Sequence, residues 1–158
     1  MALAALAVVL LAPAPLAAAG PEAELFALIN AARAERGLRP VRAEARLAAA
    51  AMRQAQDMAK HDRLDHTGSD GSTPWTRARA AGHADARPGE VIAAGPDGPR
   101  GILAMWMESP PHRDILLAPA ATEAGVGHAK NGASRYRAFW AVLVNPVVMP
   151  APGPAGSP

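Results

Sequence analysis

The chain has 158 residues, 16.2 kDa, and is half hydrophobic by count, enough for one domain with a sizeable buried core. Charge is sparse (19%) and balanced, 16 basic against 14 acidic residues, with no basic run longer than two, so a surface that tracks nucleic-acid phosphates is excluded. The absence of cysteine excludes disulfides, thiol catalysis, thiolate zinc sites, iron–sulfur clusters and a cysteine-linked lipid anchor.

Residues 1–19 carry no charge and are almost wholly Ala, Leu, Val and Pro, with Ala17-Ala18-Ala19 fitting an A-x-A cleavage site. They read as a secretory signal peptide, and Pro13 and Pro15 argue against a retained membrane span. Export, extracellular or periplasmic, is therefore expected. Glu22 to Arg36 places Leu25, Leu28, Ile29 and Ala32 at helical spacing and stops at Gly37. After the connector Leu38 to Val41, a second amphipathic helix is predicted from Ala43 to Lys60, with Leu47, Ala51, Ala55 and Met58 on one stripe. Thr67 to Ser72 is dense in turn formers, and Thr73-Pro74 then reads as a cap and first residue of a short helix reaching about Ala81.

Glu90 to Ala94 is an apolar run between glycines, most simply a strand, and Pro99 to Met107 returns to helix. Glu123 to Ala129 and Tyr136 to Val144 are β-prone and joined by Lys130 to Ser134, whose Asn131-Gly132 predicts a positive-φ hairpin turn. Residues 147–158 are too rich in proline for either element and read as a disordered tail, leaving a domain at 20–146. The tally predicts an α+β fold with helices packed on a small, mainly antiparallel sheet.

Four strings then stand in a telling order: His66-Thr67-Gly68-Ser69-Asp70-Gly71, Gly89-Glu90 before Ile-Ala-Ala-Gly, Trp106-Met107-Glu108-Ser109-Pro110-Pro111-His112-Arg113, and Glu123-Ala124-Gly125-Val126-Gly127. Together with Leu28-Ile29-Asn30 and Arg33 in the first helix, they resemble the bacterial branch of the CAP superfamily of cysteine-rich secretory, antigen 5 and pathogenesis-related proteins, over about residues 22–144. The resemblance implies a three-layer α-β-α sandwich, secretion, and a surface cleft of histidines and acidic residues. It assigns His66 to the family's H-T-G-S loop, Glu90 to its G-E-N-I motif and His112 to its W-x-x-S-x-x-H-R motif. Two departures stand out: Val91 replaces the Asn that follows the motif Glu, and Pro111 replaces a common Gly. The strand histidine of the eukaryotic members has no counterpart around Tyr136 to Trp140.

Two imidazoles and a carboxylate are the minimal ligand set for a divalent ion such as Zn²⁺, so His66, His112 and Glu90 are candidate cleft residues, the histidines candidate metal ligands and Glu90 a candidate general base. The plainer alternative is that they pin loop backbone, with Glu90 accepting from His66 or from amides of the 68–71 turn. No H-E-x-x-H helix or G-x-S-x-G elbow is present, which argues against a zincin or a serine hydrolase. The expected function is an extracellular binding module, monomeric, taking an apolar lipid, an envelope component or a protein; the alternative is a zinc-assisted hydrolase of peptides or envelope material. Trp75, Trp106 and Trp140 are expected mainly as core. His61, His83 and His128 read as solvated, and Arg33, Arg36, Arg39, Arg42 and Arg46 as one solvated face.

Overall fold

The helical periodicities of the first sixty residues become two helices, α1 (Pro21–Ala34) and α2 (Ala45–His61). The computed structural model describes residues 20–84, 86–95 and 98–147, so the predicted signal peptide and all of the predicted tail beyond Val147 lie outside the described residues. Glu44 caps α2 by accepting from the Arg46 amide, and Asp62 closes it in a left-handed conformation (φ 50°). Then follow α3 (Pro74–Ala80), β2 (Gly89–Ala94), α4 (Pro99–Glu108), α5 (Pro110–Leu116), β3 (Glu123–Lys130) and β4 (Ala138–Asn145), with β1 (Arg42–Ala43) lying before α2. A reciprocal capping box between Thr73 and Thr76, with Pro74 at the first helical position, starts α3 where the sequence places it. Among the described residues, no helix is long and apolar enough to cross a membrane.

The sheet has the order β1-β3-β4-β2; β4 pairs antiparallel with both β2 and β3, while β1 runs parallel to β3. Strand period two divides the core between its faces. Along β4, Trp140, Val142 and Val144 join Leu25, Ile29, Ile102 and Trp106 of α1 and α4 on one side. Phe139, Ala141 and Leu143 join Leu47, Ala51, Met58 and Ala78 of α2 and α3 on the other. The result is the three-layer α-β-α sandwich, mixed α+β in class, that the sequence leads one to expect.

The seat of α2 on the sheet depends on two glycines. A Cβ on Gly125 would stand 2.0 Å from the Ala48 amide nitrogen, and one on Gly127 would stand 2.2 Å from that of Met52. Helix backbone therefore rests directly on strand backbone, which is the physical meaning of the Gly-Val-Gly in the last motif.

Several expectations are corrected. The two-residue β1 (Arg42–Ala43) lies just past the connector and takes the first residue of the predicted second helix, which begins instead at Ala45, and α5 follows α4 as a separate helix that the sequence reading leaves out. The Asn131-Gly132 pair does not make a positive-φ turn: strands β3 and β4 are joined by seven residues, and the left-handed residue is Arg137 (φ 65°). Asn131 instead uses its side chain, donating to the Ala59 carbonyl and accepting from the Ala133 amide. The arginine face is broken at Arg33, which is fully buried. It donates to the carbonyls of Arg39, Leu116, Ala118 and Ala121, tying α1 to the turn that leads from α5 into β3. Trp106 and Trp140 are core, but Trp75 is 48% exposed with the Arg79 guanidinium over its ring.

Candidate functional site

Three segments converge at one end of β2. Glu90 lies next to Val91, whose side chain is buried in the α1/α4 core; the alternation of the strand therefore turns Glu90 to the opposite, α2/α3 side. The replacement of the family Asn by Val91 thus adds to the core on the face away from the carboxylate.

Glu90 is held from two directions. Its Oε1 is 2.8 Å from His66 Nδ1, and its Oε2 is 2.6 Å from a terminal nitrogen of Arg77. Both partners of the Arg77–Glu90 pair are buried, with side chains 0% and 1% exposed. The other terminal nitrogen of Arg77 donates to the carbonyls of His66 and Ser72, at 3.1 and 2.9 Å. One guanidinium thus fixes both the carboxylate and the two ends of the 66–72 loop.

The loop is also fastened to α2. Asp57 accepts from the amide and hydroxyl of Ser69, and the Gly68 amide donates to the Ser72 carbonyl while Gly71 takes a positive φ of 79°. Although burial alone would raise the Asp57 pKa, the Ser69 bonds, with charge from His61 and Arg63, hold it below the ordinary carboxylate value. The alternative that Glu90 accepts from amides of this turn is corrected by the geometry. Its partners are His66 and Arg77, while the Gly68 and Gly71 amides bond within the loop and the Ser69 amide to Asp57.

With the arginine-paired carboxylate as acceptor, His66 Nδ1 carries the hydrogen of this bond, so in the neutral form of the ring Nε2 presents a lone pair. The His66 side chain is 52% exposed. A solvent-facing imidazole is therefore aimed by a carboxylate that solvent does not reach.

His112 is carried by α5 and is half-buried. Burial lowers its pKa, and the charge of His66 lowers it further, so the two rings share one electrostatic environment. His112 makes no hydrogen bond to Glu90 among the described residues. The structure thus joins His66 directly to Glu90 and places His112 within electrostatic reach of His66. Arg77 is the component that sequence reasoning passes over, although it lies just beyond the turn-forming loop; its spacing of four from Thr73 turns it inward from a capped helix start.

Two other histidines are also repositioned. His83, read as solvated, packs its Nε2 2.6 Å from Glu123 Oε1, where Asn145 donates at 2.8 Å. His128, read as a surface group, stacks on Trp140 with ring centroids 4.0 Å apart, and burial is the main cause that lowers its pKa.

The donor set decides what ion the site could take. Glu90 has both oxygens engaged, and no group of three His, Asp or Glu side chains converges among the described residues. The residues offer two imidazoles, one fewer protein ligand than zinc usually has in catalytic sites.

Comparison with known proteins places the chain in a family. The model for CAP, the cysteine-rich secretory protein family, matches residues 26–144. The uncharacterized protein YkwD of Bacillus subtilis (strain 168) is 31% identical over 119 residues, which are 75% of this chain and 46% of that protein. The chain accordingly spans less than half the length of this relative. Among solved structures, an outer surface protein of Borrelia burgdorferi superposes with a TM-score of 0.69 at 20% identity, covering 77% of this chain and 89% of that one. An extracellular protein containing an SCP domain from Bacillus anthracis str. Ames gives 0.69 at 23% identity, over 79% of this chain and 40% of that one. With the family match running from α1 through β4, the chain belongs to the cysteine-rich secretory protein, or CAP, family.

Proposed function

We propose that the chain is an extracellular binding module whose ligand meets the His66 and His112 rings. The observation that carries this reading is the pinned, half-exposed imidazole of His66 over a carboxylate that is 1% exposed. Arg77 and Glu90 are then positioning residues: they set the tautomer and aim of His66 and do not meet the ligand. An extracellular location is supported by the similarity to an outer surface protein and an extracellular SCP-domain protein. The ligand class is an apolar lipid, an envelope component or a protein segment offering a hydrogen-bond donor to His66 Nε2.

The test is mass spectrometry of organic extracts and co-purifying material from the full chain, wild type beside His66→Ala. Recovery of one molecule from the wild type and its loss from a folded His66→Ala variant supports the reading. Equal recovery from both overturns it.

One observation favours a metal as second reading. A histidine whose Nδ1 donates to a carboxylate has the arrangement common behind metal-bound imidazoles. His66 and His112 would hold such an ion weakly, leaving the remaining positions to water. Hydrolysis with Glu90 as base is disfavoured, because the carboxylate is 1% exposed and turned to His66 and Arg77, away from water. Zn²⁺ titration calorimetry on wild type, His66→Ala and His112→Ala decides the point: a site lost in both variants supports the shared ion, and heat unchanged in both rejects it.

A further inference from the structure

The small net charge of +2 is unevenly placed. At the end of the molecule where α2 stops, the β3–β4 loop folds against it: Asn131 donates to the Ala59 carbonyl, and Ser134 donates its hydroxyl to Asp62. This contact gathers four cations. Lys60 lies in the last turn of α2, Lys130 ends β3, and Arg135 and Arg137 lie in the loop. All four are exposed, and none has a carboxylate within ion-pair distance among the described residues. Arg135 lies over the Tyr136 ring, and Arg137 donates to the Gly132 carbonyl.

Lys60 and Lys130 are the chain's only lysines, and both line one open depression with Gln56, Ala59, Asn131 and Gly132. The neighbouring acids are largely committed. Asp62 accepts from Ser134, and Asp57 and Asp65 pair with Arg63. Two residues beyond Asp62, Leu64 is 51% exposed, the most exposed large aliphatic side chain among the described residues.

We propose that this end is a docking surface for an anionic membrane, with Lys60, Lys130, Arg135 and Arg137 on lipid phosphates and Leu64 entering the headgroup boundary. Four cations with no carboxylate partner among the described residues give the attraction, about fivefold in affinity for each near an anionic bilayer. The exposed leucine distinguishes a bilayer from a soluble polyanion, because only the bilayer offers an apolar layer beneath its charge. None of the four cations bonds to His66 or His112 among the described residues, so the lysine substitutions leave the contacts of those rings in place.

The experiment is co-sedimentation of the full chain with phosphatidylcholine vesicles, with and without phosphatidylglycerol, across a salt series. Binding that needs phosphatidylglycerol and weakens with salt is expected. Lys60→Gln and Lys130→Gln should each lower it about fivefold. Leu64→Ser should lower it several-fold while leaving the salt dependence unchanged. Circular dichroism verifies that these surface variants remain folded. Absence of binding to phosphatidylglycerol vesicles overturns the proposal, as does binding indifferent to all three substitutions. Capture by soluble polyphosphate without capture by vesicles also overturns it, reassigning the patch to a free polyanion.

Discussion

Replacing Arg77 by Met tests the core of the site. The substitution keeps most of the apolar stem but removes the partner of a carboxylate that is 1% exposed, and it leaves the His66 and Ser72 carbonyls without their donor. Breaking a buried ion pair from one side costs about 3–5 kcal/mol, because the remaining charge stays desolvated. Against a total stability of roughly 5–15 kcal/mol this is a large fraction. The assay is urea unfolding of wild type, Arg77→Met, Glu90→Leu and the double variant at one pH. Arg77→Met should lose about 4 kcal/mol, and the double variant should be more stable than Arg77→Met alone, since a buried pair replaced on both sides by apolar groups leaves no orphaned charge. A loss below about 1 kcal/mol for Arg77→Met, or costs that simply add in the double variant, would refute the claim that the pair acts as one buried unit.

Gly127→Ala should destabilise by about 1–3 kcal/mol or more, since the new methyl meets the Met52 amide nitrogen at 2.2 Å and backbone must retreat; thermal unfolding reads this, and an unchanged midpoint would mean that α2 lifts freely. Arg33→Met should cost about 2–4 kcal/mol, with three buried carbonyls at and beyond the end of α5 losing their donor, and amide exchange should quicken first at residues 116–121. Acidification should weaken the fold in two stages. His112 and His128 have lowered pKa values in the fold, so the unfolded chain takes protons first, near pH 6.5, and their stabilising contribution, present above that pH, is lost as pH falls through the folded values. Carboxylates held low, such as Glu44 at about 2 beside Arg46, lose theirs only at lower pH. Urea midpoints against pH measure both stages, and His112→Gln should flatten the upper one.

The legible parts of the fold were those written as periodicity and punctuation. The stripes of α1 and α2, the Thr73-Pro74 start of α3 and the apolar run of β2 are local features, and the structure keeps them. What escaped was decided by tertiary contact. Arg33 looks like any helix arginine until four carbonyls surround it. Asn131 and Gly132 spell a tight turn, yet docking of the loop on Ala59 and Asp62 selects a longer connection. Trp75 carries the composition of a core residue on the outer side of a short helix. Of the site, the motifs gave His66, Glu90 and His112, because each lies in a distinctive string. Arg77 follows closely on the first of those strings, but its role rests on reaching across thirteen residues to Glu90, and a sequence does not display that reach.

The two imidazoles hang from opposite layers of the sandwich. His66 is fixed through Arg77, Glu90 and α2 on one side of the sheet, and His112 rides on α5, whose Leu116 is anchored in the core of the other. The spacing of the two rings is accordingly set by how the two layers pack on the sheet and not by the length of any loop. A ligand that grips both rings acts as a clasp across the sandwich, resisting the parting of its layers. Conversely, repacking in either core, far from any ligand atom, would reset the bite of the site, so affinity becomes a gauge of how the two halves of the fold are pressed together.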